Sequence, residues 1–238
     1  MLLDEHIRAI AENWGADFFG IADLTPARAF IVEQGGERLA QYPRAVSIGV
    51  ALMRDIVDQL PQRDQTAVAK LYRAHAYDIV NARLDQISSR LASALQRAGY
   101  RALPIPASQV VDTTGLRGLF SHKLAAHLAG LGWIGKSCML ITPTVGPRAR
   151  WATVLTDAPL LATGQGMELQ CGDCRQCADI CPVGAYSGRL FRADEPRALR
   201  FDADKCNAYL DLRGQSTEMR VCGMCLYICP HGRKGSEP

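Results

Sequence analysis

Cys171-Gly172-Asp173-Cys174-Arg175-Gln176-Cys177-Ala178-Asp179-Ile180-Cys181-Pro182 sets four cysteines at C-x₂-C-x₂-C-x₃-C spacing, closed by a proline. A second run follows: Cys206, then Cys222-x₂-Cys225-x₃-Cys229-Pro230. Eight of the nine cysteines therefore lie from Cys171 onward. A cubane iron–sulfur cluster needs four thiolates at the corners of a tetrahedron. A tight loop supplies three, and in two-cluster arrangements the cysteine after x₃ serves the other cluster. On that rule Cys171, Cys174, Cys177 and Cys229 hold one [4Fe-4S] cluster. Cys206, Cys222, Cys225 and Cys181 hold a second, with Cys206 standing in for a missing near cysteine. Cys138 is left over and reads as a buried core residue.

Zinc is the competing reading, because paired C-x₂-C elements also build zinc sites. Zinc needs only four ligands, however, and this run puts too many into one loop. Disulfides fit poorly. The N-terminal MLLDEHIRAIAENWGAD carries charges throughout and has no apolar signal core, so reduced thiols and a cytoplasmic location are expected.

The 238 residues are 48% apolar, enough for a sizeable core and two domains. No stretch has the length of an apolar membrane span. The formal charge of +3 counts cysteines as neutral. A [4Fe-4S] core with four thiolates carries about −2, so two of them bring the total to about −1. Net charge thus gives nucleic-acid binding no support. The basic end His231-Gly232-Arg233-Lys234 reads as a solvated tail.

Upstream, strand and helix patterns alternate. Leu3, Ile7, Ile10, Ala11 and Trp14 share a helical face, and Asp17–Ala22 reads as a strand. Thr25-Pro26 opens a helix. Ala45–Leu52 is a buried strand. One long helix is expected from about Asp64 to Ala98, with Val68, Leu71, Tyr72, Ile79, Leu84, Ile87, Leu91 and Leu95 as its apolar stripe. Tyr100–Ile105, Cys138–Ile141 and Trp151–Leu155 read as strands, and Ser121–Leu128 as a helix. This alternation predicts a layered α/β domain over 1–163 and a small metal-stapled domain over 164–238.

The run Gly130-Leu131-Gly132-Trp133-Ile134-Gly135-Lys136-Ser137 is the second informative stretch. Its glycines permit close backbone approach, Trp133 offers a flat apolar face, and Lys136 sets a cation beside backbone donors. That suits an anionic group on a large cofactor. A plain helix-ending turn with a core tryptophan suits it equally.

LAGLGWIGKS, followed by CGDCRQCADICPVGAY and a late CGMCLYICPHG, resembles the epoxyqueuosine reductase family, cobalamin-dependent iron–sulfur proteins related to reductive dehalogenases. WGADFFGIADL, AVSIGVAL and YRAHAYDIVNARL extend the resemblance over most of the chain. The resemblance implies an α+β or α/β layered fold: a nitroreductase-like domain holding cobalamin, then a ferredoxin-like domain with two [4Fe-4S] clusters. A low-potential donor such as ferredoxin or flavodoxin would feed the clusters. It also implies that Gly130, Gly132, Trp133, Ile134, Gly135 and Lys136 line the corrin, with Ser121 and His122 from the preceding helix.

The chain departs from the family in two places. Val111-Asp112-Thr113 resembles the element whose aspartate is thought to donate a proton, so Asp112 is a candidate acid. But Thr114-Gly115-Leu116-Arg117-Gly118 replaces the expected continuation, which leaves Asp112 readable as a loop residue and His122 as an alternative acid. The family's helical-repeat extension that grips tRNA has no counterpart after Pro230, which argues against tRNA as substrate. Three functions follow as expectations. The first is a cobalamin-dependent reductase of a small molecule or nucleoside, with no membrane partner. The second is a two-cluster electron carrier that reduces a partner's corrinoid. The third is a flavin protein on the same fold.

Overall fold

In the computed structural model, residues 2–233 are described. In chain order the helices are α1 (Leu3–Asn13), α2 (Arg28–Gly35), α3 (Arg54–Val57), α4 (Thr66–Arg73), α5 (Val80–Arg97), α6 (His122–Leu128), α7 (Gln176–Asp179), α8 (Ala203–Thr217) and α9 (Met224–Tyr227). The strands are β1 (Phe18–Asp23), β2 (Arg44–Ala51), β3 (Ala102–Ile105), β4 (Trp133–Ile134), β5 (Leu140–Ile141) and β6 (Ala149–Thr156). Among the described residues no helix is long and apolar enough to cross a membrane.

The chain divides into two compact units, and both are discontinuous. Among the described residues the first takes 2–50, Val80–Gly132 and Arg150–Met167; the second takes Ala51–Ile79, Trp133–Ala149 and 168–233. The anticipated boundary at 163/164 falls close to the last crossing, at Met167. The two earlier exchanges of chain have no counterpart in that linear division.

The first unit is built on a four-stranded sheet of order β1-β2-β6-β3. β1 pairs antiparallel with β2, Phe18 opposite Gly49 and Asp23 opposite Arg44. β3 pairs antiparallel with β6, Ala102 opposite Thr156. Helices and strands are mixed in this unit, as expected, and its two outer strand pairs are antiparallel. β2 reads as a continuous apolar run because its central residues, Ala45 through Val50, are all buried. Helices α5 and α6 pack on β3 and β1, and α1 packs on α5. One core cluster joins Ala22, Leu24, Ile31, Leu39, Ile105, Phe120, Ala125 and Leu155.

The long helix expected over 64–98 is interrupted. Residues Ala74–Ile79 form a π-helical stretch between α4 and α5. The extra residue of a π turn shifts the side-chain register. Ile79, placed in the apolar stripe by a 3.6-residue period, is 56% exposed, and Leu71, ahead of the π stretch, is 44% exposed, whereas Leu84, Ile87, Leu91 and Leu95 are fully buried. The unit boundary lies at the end of this stretch.

The second unit has little regular structure and is held by buried guanidinium groups. Arg148 is 1% exposed; it pairs with Asp58 at 2.8 Å and donates to the Tyr227 carbonyl at 3.3 Å. Arg213, on α8, pairs with Asp64 and donates to the carbonyls of Arg63 and Val221. These clamps fix α8, which carries Cys206, and the chain around Cys222 and Cys229. In both pairs the guanidinium is buried while its carboxylate partner reaches solvent.

Candidate functional site

All nine cysteines are free thiols, and the eight from Cys171 onward are all partly exposed. Cys171, Cys174, Cys177 and Cys229 line one recess with Lys136, Ser137, Ile141, Pro230 and His231. The recess encloses about 350 Å³ of space, part of it open to solvent. The chain delivers these thiols from two directions. Short helix α7 starts beyond Cys174, so Cys177 sits in its first turn, and the Cys174 amide donates to the Cys171 carbonyl at 3.0 Å. Cys229 arrives at the end of α9, whose opening residue Gly223 has φ 72°. That left-handed backbone suits glycine, and a Cβ there would approach Leu60 Cδ1 to 2.7 Å.

The second group is Cys181, Cys206, Cys222 and Cys225. Burial pushes the Cys206 thiol up to about 11, with charge on Cys222 and Cys181 adding to the shift. Burial pushes Cys225 up to about 12, and Cys222, Cys206 and Cys181 add to it while a hydrogen bond from Tyr186 opposes it. In the first group burial, then Cys171, Cys229 and Cys174, push Cys177 up to about 11. Cys229 is raised by burial and by Cys171 and Cys174, against amide donation from His231 and Gly232. Cys177, Cys206, Cys225 and Cys229 are each shifted by thiols of their own group, and each group draws from both cysteine runs. Buried thiols packed in fours resist ionisation by themselves. A cationic iron core reverses that balance and takes thiolates as ligands.

Among the described residues no three His, Cys, Asp or Glu side chains close around a single ion. A cubane, whose thiolates each bind a different iron, asks for a wider cage than zinc does. The donor set, thiols in fours with no carboxylate among them, fits iron–sulfur clusters.

The glycine-tryptophan run divides between the units. Gly130 and Gly132 close the first unit, with the Gly132 carbonyl 2.9 Å from His127 Nδ1. Trp133 and Ile134 form β4 of the second unit, paired with β5 as Trp133 opposite Ile141 and Ile134 opposite Leu140. Trp133 is fully buried and meets the His231 ring edge-on at 4.9 Å. A Cβ on Gly135 would come within 2.7 Å of Ile141 and 3.5 Å of Cys171 Sγ. Lys136 is 7% exposed and donates to the Gly172 carbonyl at 2.7 Å. Gly135 and Lys136, expected to line a corrin, therefore wall the first cysteine recess. Trp133 and Ile134 are buried beside them. Lys136 is engaged by backbone and does not wait for a phosphate. The basic end is corrected too: His231 lines the recess, Gly232 is buried and Arg233 lies over the Tyr227 ring at 4.6 Å. Lys234 lies outside the described residues.

Neither proposed acid holds a spare proton at neutral pH. Asp112 accepts from the amides of Gly115 at 2.9 Å and Thr114 at 3.0 Å, and its other oxygen meets Arg117 at 3.1 Å. The Gly115 amide, followed by Arg117 and the Thr114 amide, holds its carboxyl below the usual range. This is an Asx turn closed by an ion pair, the loop reading of Asp112. His122 has Nε2 3.0 Å from the Pro106 carbonyl and Nδ1 2.9 Å from Thr153 Oγ1. A carbonyl only accepts, so Nε2 carries the hydrogen and Nδ1 accepts from the threonine. Burial, with Arg150 nearby, lowers its pKa to about 4. The expectation of His122 as acid is corrected to a neutral imidazole that ties α6 to β6. Ser121 takes the N-cap position of α6 without a side-chain capping bond.

Sequence reasoning missed Tyr186, whose hydroxyl donates to Cys225 Sγ at 3.3 Å. Nothing in the local spacing sets this tyrosine apart from a core residue. Ser137, Ile141 and His231 were missed because none of these residue types marks a cluster recess on its own.

Residues 170–232 match the model of a 4Fe-4S double cluster binding domain. An epoxyqueuosine reductase of Bacillus anthracis is 32% identical over 54% of this chain and 33% of its own length. A solved reductive dehalogenase, described as suggesting a mechanism for B12-dependent dehalogenation, matches 97% of this chain and 32% of its own at TM-score 0.69 and 24% identity. An epoxyqueuosine reductase solved with an epoxyqueuosine-modified tRNA-Tyr stem loop matches 98% of this chain and 66% of its own at TM-score 0.60 and 21% identity. The chain thus spans about a third of the curated relative. The two solved structures show a shared fold. The matches show a 4Fe-4S double cluster binding domain in a chain whose fold is shared with solved epoxyqueuosine reductases and reductive dehalogenases. The sequence is similar to that of epoxyqueuosine reductases, of which it covers about a third.

Proposed function

We propose that this protein is an iron–sulfur reductase whose first domain is nitroreductase-like and whose cysteine-rich domain is ferredoxin-like. The carrying observation is the sorting of eight thiols into two groups of four, each drawn from both cysteine runs. When bound there, two [4Fe-4S] clusters supply one-electron transfer at low potential. The chain's own part is to hold the thiols in place and partly exclude water. The Arg148 and Arg213 clamps fix Cys229 and Cys206, Lys136 anchors the loop after Cys171, and β4–β5 walls the first recess.

The likeness to a B12-dependent dehalogenase and to epoxyqueuosine reductases supports cobalamin as the group that meets the substrate. Bound cobalamin would supply a strongly reducing, nucleophilic metal. Lys136 lines the cysteine recess, and Trp133 and Gly135 are packed beside it, so a corrin near this loop would lie close to the first cluster. The proposed substrate is a modified nucleoside, free or in RNA, or another small electrophile, and the donor is a ferredoxin or flavodoxin. Asp112 is a candidate acid only after its pairing with Arg117 opens. The second reading, a two-cluster electron carrier, is favoured by one observation: both candidate acids are occupied within the first unit.

Anaerobic reconstitution with iron and sulfide, addition of hydroxocobalamin, desalting and EPR separate the two. About eight irons with a retained Co(II) signal support the reductase. Eight irons with no retained corrinoid overturn it in favour of the carrier.

A further inference from the structure

We propose that Tyr186 tunes the second cluster, through a hydrogen bond from its hydroxyl to the Cys225 sulfur. The proposal rests on the two-cluster reading above and adds a residue that no cysteine pattern contains. The hydroxyl lies 3.3 Å from Cys225 Sγ. A thiolate bound to iron has no proton, so only the tyrosine can donate. The neighbouring Ala185 amide donates to Cys181 Sγ, also at 3.3 Å. Residues 185 and 186 therefore serve two thiols of the same group that lie far apart in sequence.

The donor is held rigidly. The Tyr186 ring stacks on Phe201 at 4.9 Å with 20° between planes. The two residues also form an isolated antiparallel bridge. On either side the Ser187 amide donates to the Arg200 carbonyl at 3.1 Å, and the Asp202 amide to Ala185 at 2.8 Å. Ring position and hydroxyl direction are thus set by backbone pairing rather than by the cluster. Asp202 also caps α8, the helix that carries Cys206, so both halves of the second cage meet at this bridge.

The electrostatic consequence has a definite sign. Taking up one electron makes a cluster more negative, and a donor to a ligand sulfur stabilises that state more than the oxidised one. Tyr186 therefore raises the reduction potential of the second cluster. The first group shows no tyrosine donor among the hydrogen bonds of the described residues.

Tyr186→Phe removes the hydroxyl and keeps the ring on Phe201. Both proteins are reconstituted and titrated with dithionite under EPR, and iron is counted on the same samples. The expected result is two reduction waves in each protein at equal iron. One wave in the variant needs about tenfold more reducing poise, 59 mV for one electron, and the other stays in place. Resonance Raman of the oxidised variant should show one terminal Fe–S stretch moved to higher frequency, because the sulfur no longer shares its charge. Two unmoved waves, both moved equally, or loss of half the iron in the variant would overturn the tuning role. Wild type that binds only four irons instead overturns the two-cluster reading on which it rests.

Discussion

The ammonium of Lys136 donates to the carbonyl of Gly172 at 2.7 Å, across 36 positions of sequence. The lysine is almost fully buried and faces the first cysteine recess. It fixes the peptide that follows Cys171 and brings a positive charge to a place where four thiolates gather.

Lys136→Met keeps much of the volume and removes the donor and the charge. A buried hydrogen bond from a charged group contributes roughly 1.5–3 kcal/mol. The variant should lose about that much in denaturant unfolding of the reconstituted protein. It should also release iron to a chelator in two phases, with the faster phase accounting for half the iron. A single unchanged release rate would show that Lys136 does not support the recess.

The Asp112 loop should be sensitive to acid. Its carboxyl is held below the ordinary range by the Gly115 amide, Arg117 and the Thr114 amide. A depressed folded pKa gives stabilisation that is present above the unfolded value, about 4, and is lost as pH falls through the folded value. Amide exchange at Thr114 and Gly115 should be protected at neutral pH and lose protection only in acid. Arg117→Ala should raise the exchange rate at neutral pH and move the loss of protection to higher pH. If exchange at these amides ignores both pH and the Arg117 substitution, the Asx turn is not the resting state of the loop.

His122 carries the opposite charge logic with the same sign. Its folded pKa is lowered to about 4 from 6.5. The unfolded chain takes up the proton first, so stability is full above 6.5 and declines as pH drops toward 4. The thermal midpoint of the wild type should fall across that window. His122→Gln should flatten the slope, whatever it does to the midpoint at pH 7. An unchanged slope would remove the neutral, doubly bonded imidazole from the account.

The cysteine arrangement was the most legible part of the chain, because metal ligation ties residue type directly to spacing. The partition into mixed groups followed from how far a tight loop can reach. β1, β2 and β6 were found within two residues of their ends, since buried strands declare themselves by continuous apolar runs. Gly132 and Trp133 are adjacent in sequence but fold into different units, which nothing in the glycine spacing announces. The stripe failed at Ile79, and at Leu71 ahead of the π stretch, which itself leaves no mark in composition. Asp112 was a candidate acid by resemblance and His122 by the usual pKa of its side chain, each with a structural role as the alternative. Their partners, Pro106, Thr153 and Arg117, decide otherwise and became visible only in three dimensions.

The most direct test of the account is an iron count on paired cysteine variants. Cys171→Ser with Cys229→Ser removes two ligands of one group; Cys171→Ser with Cys181→Ser removes one from each. The account expects about four irons retained in the first double variant and close to none in the second. The reverse, four irons in Cys171→Ser/Cys181→Ser and none in Cys171→Ser/Cys229→Ser, would mean that each run fills its own site and would contradict the mixed pairing.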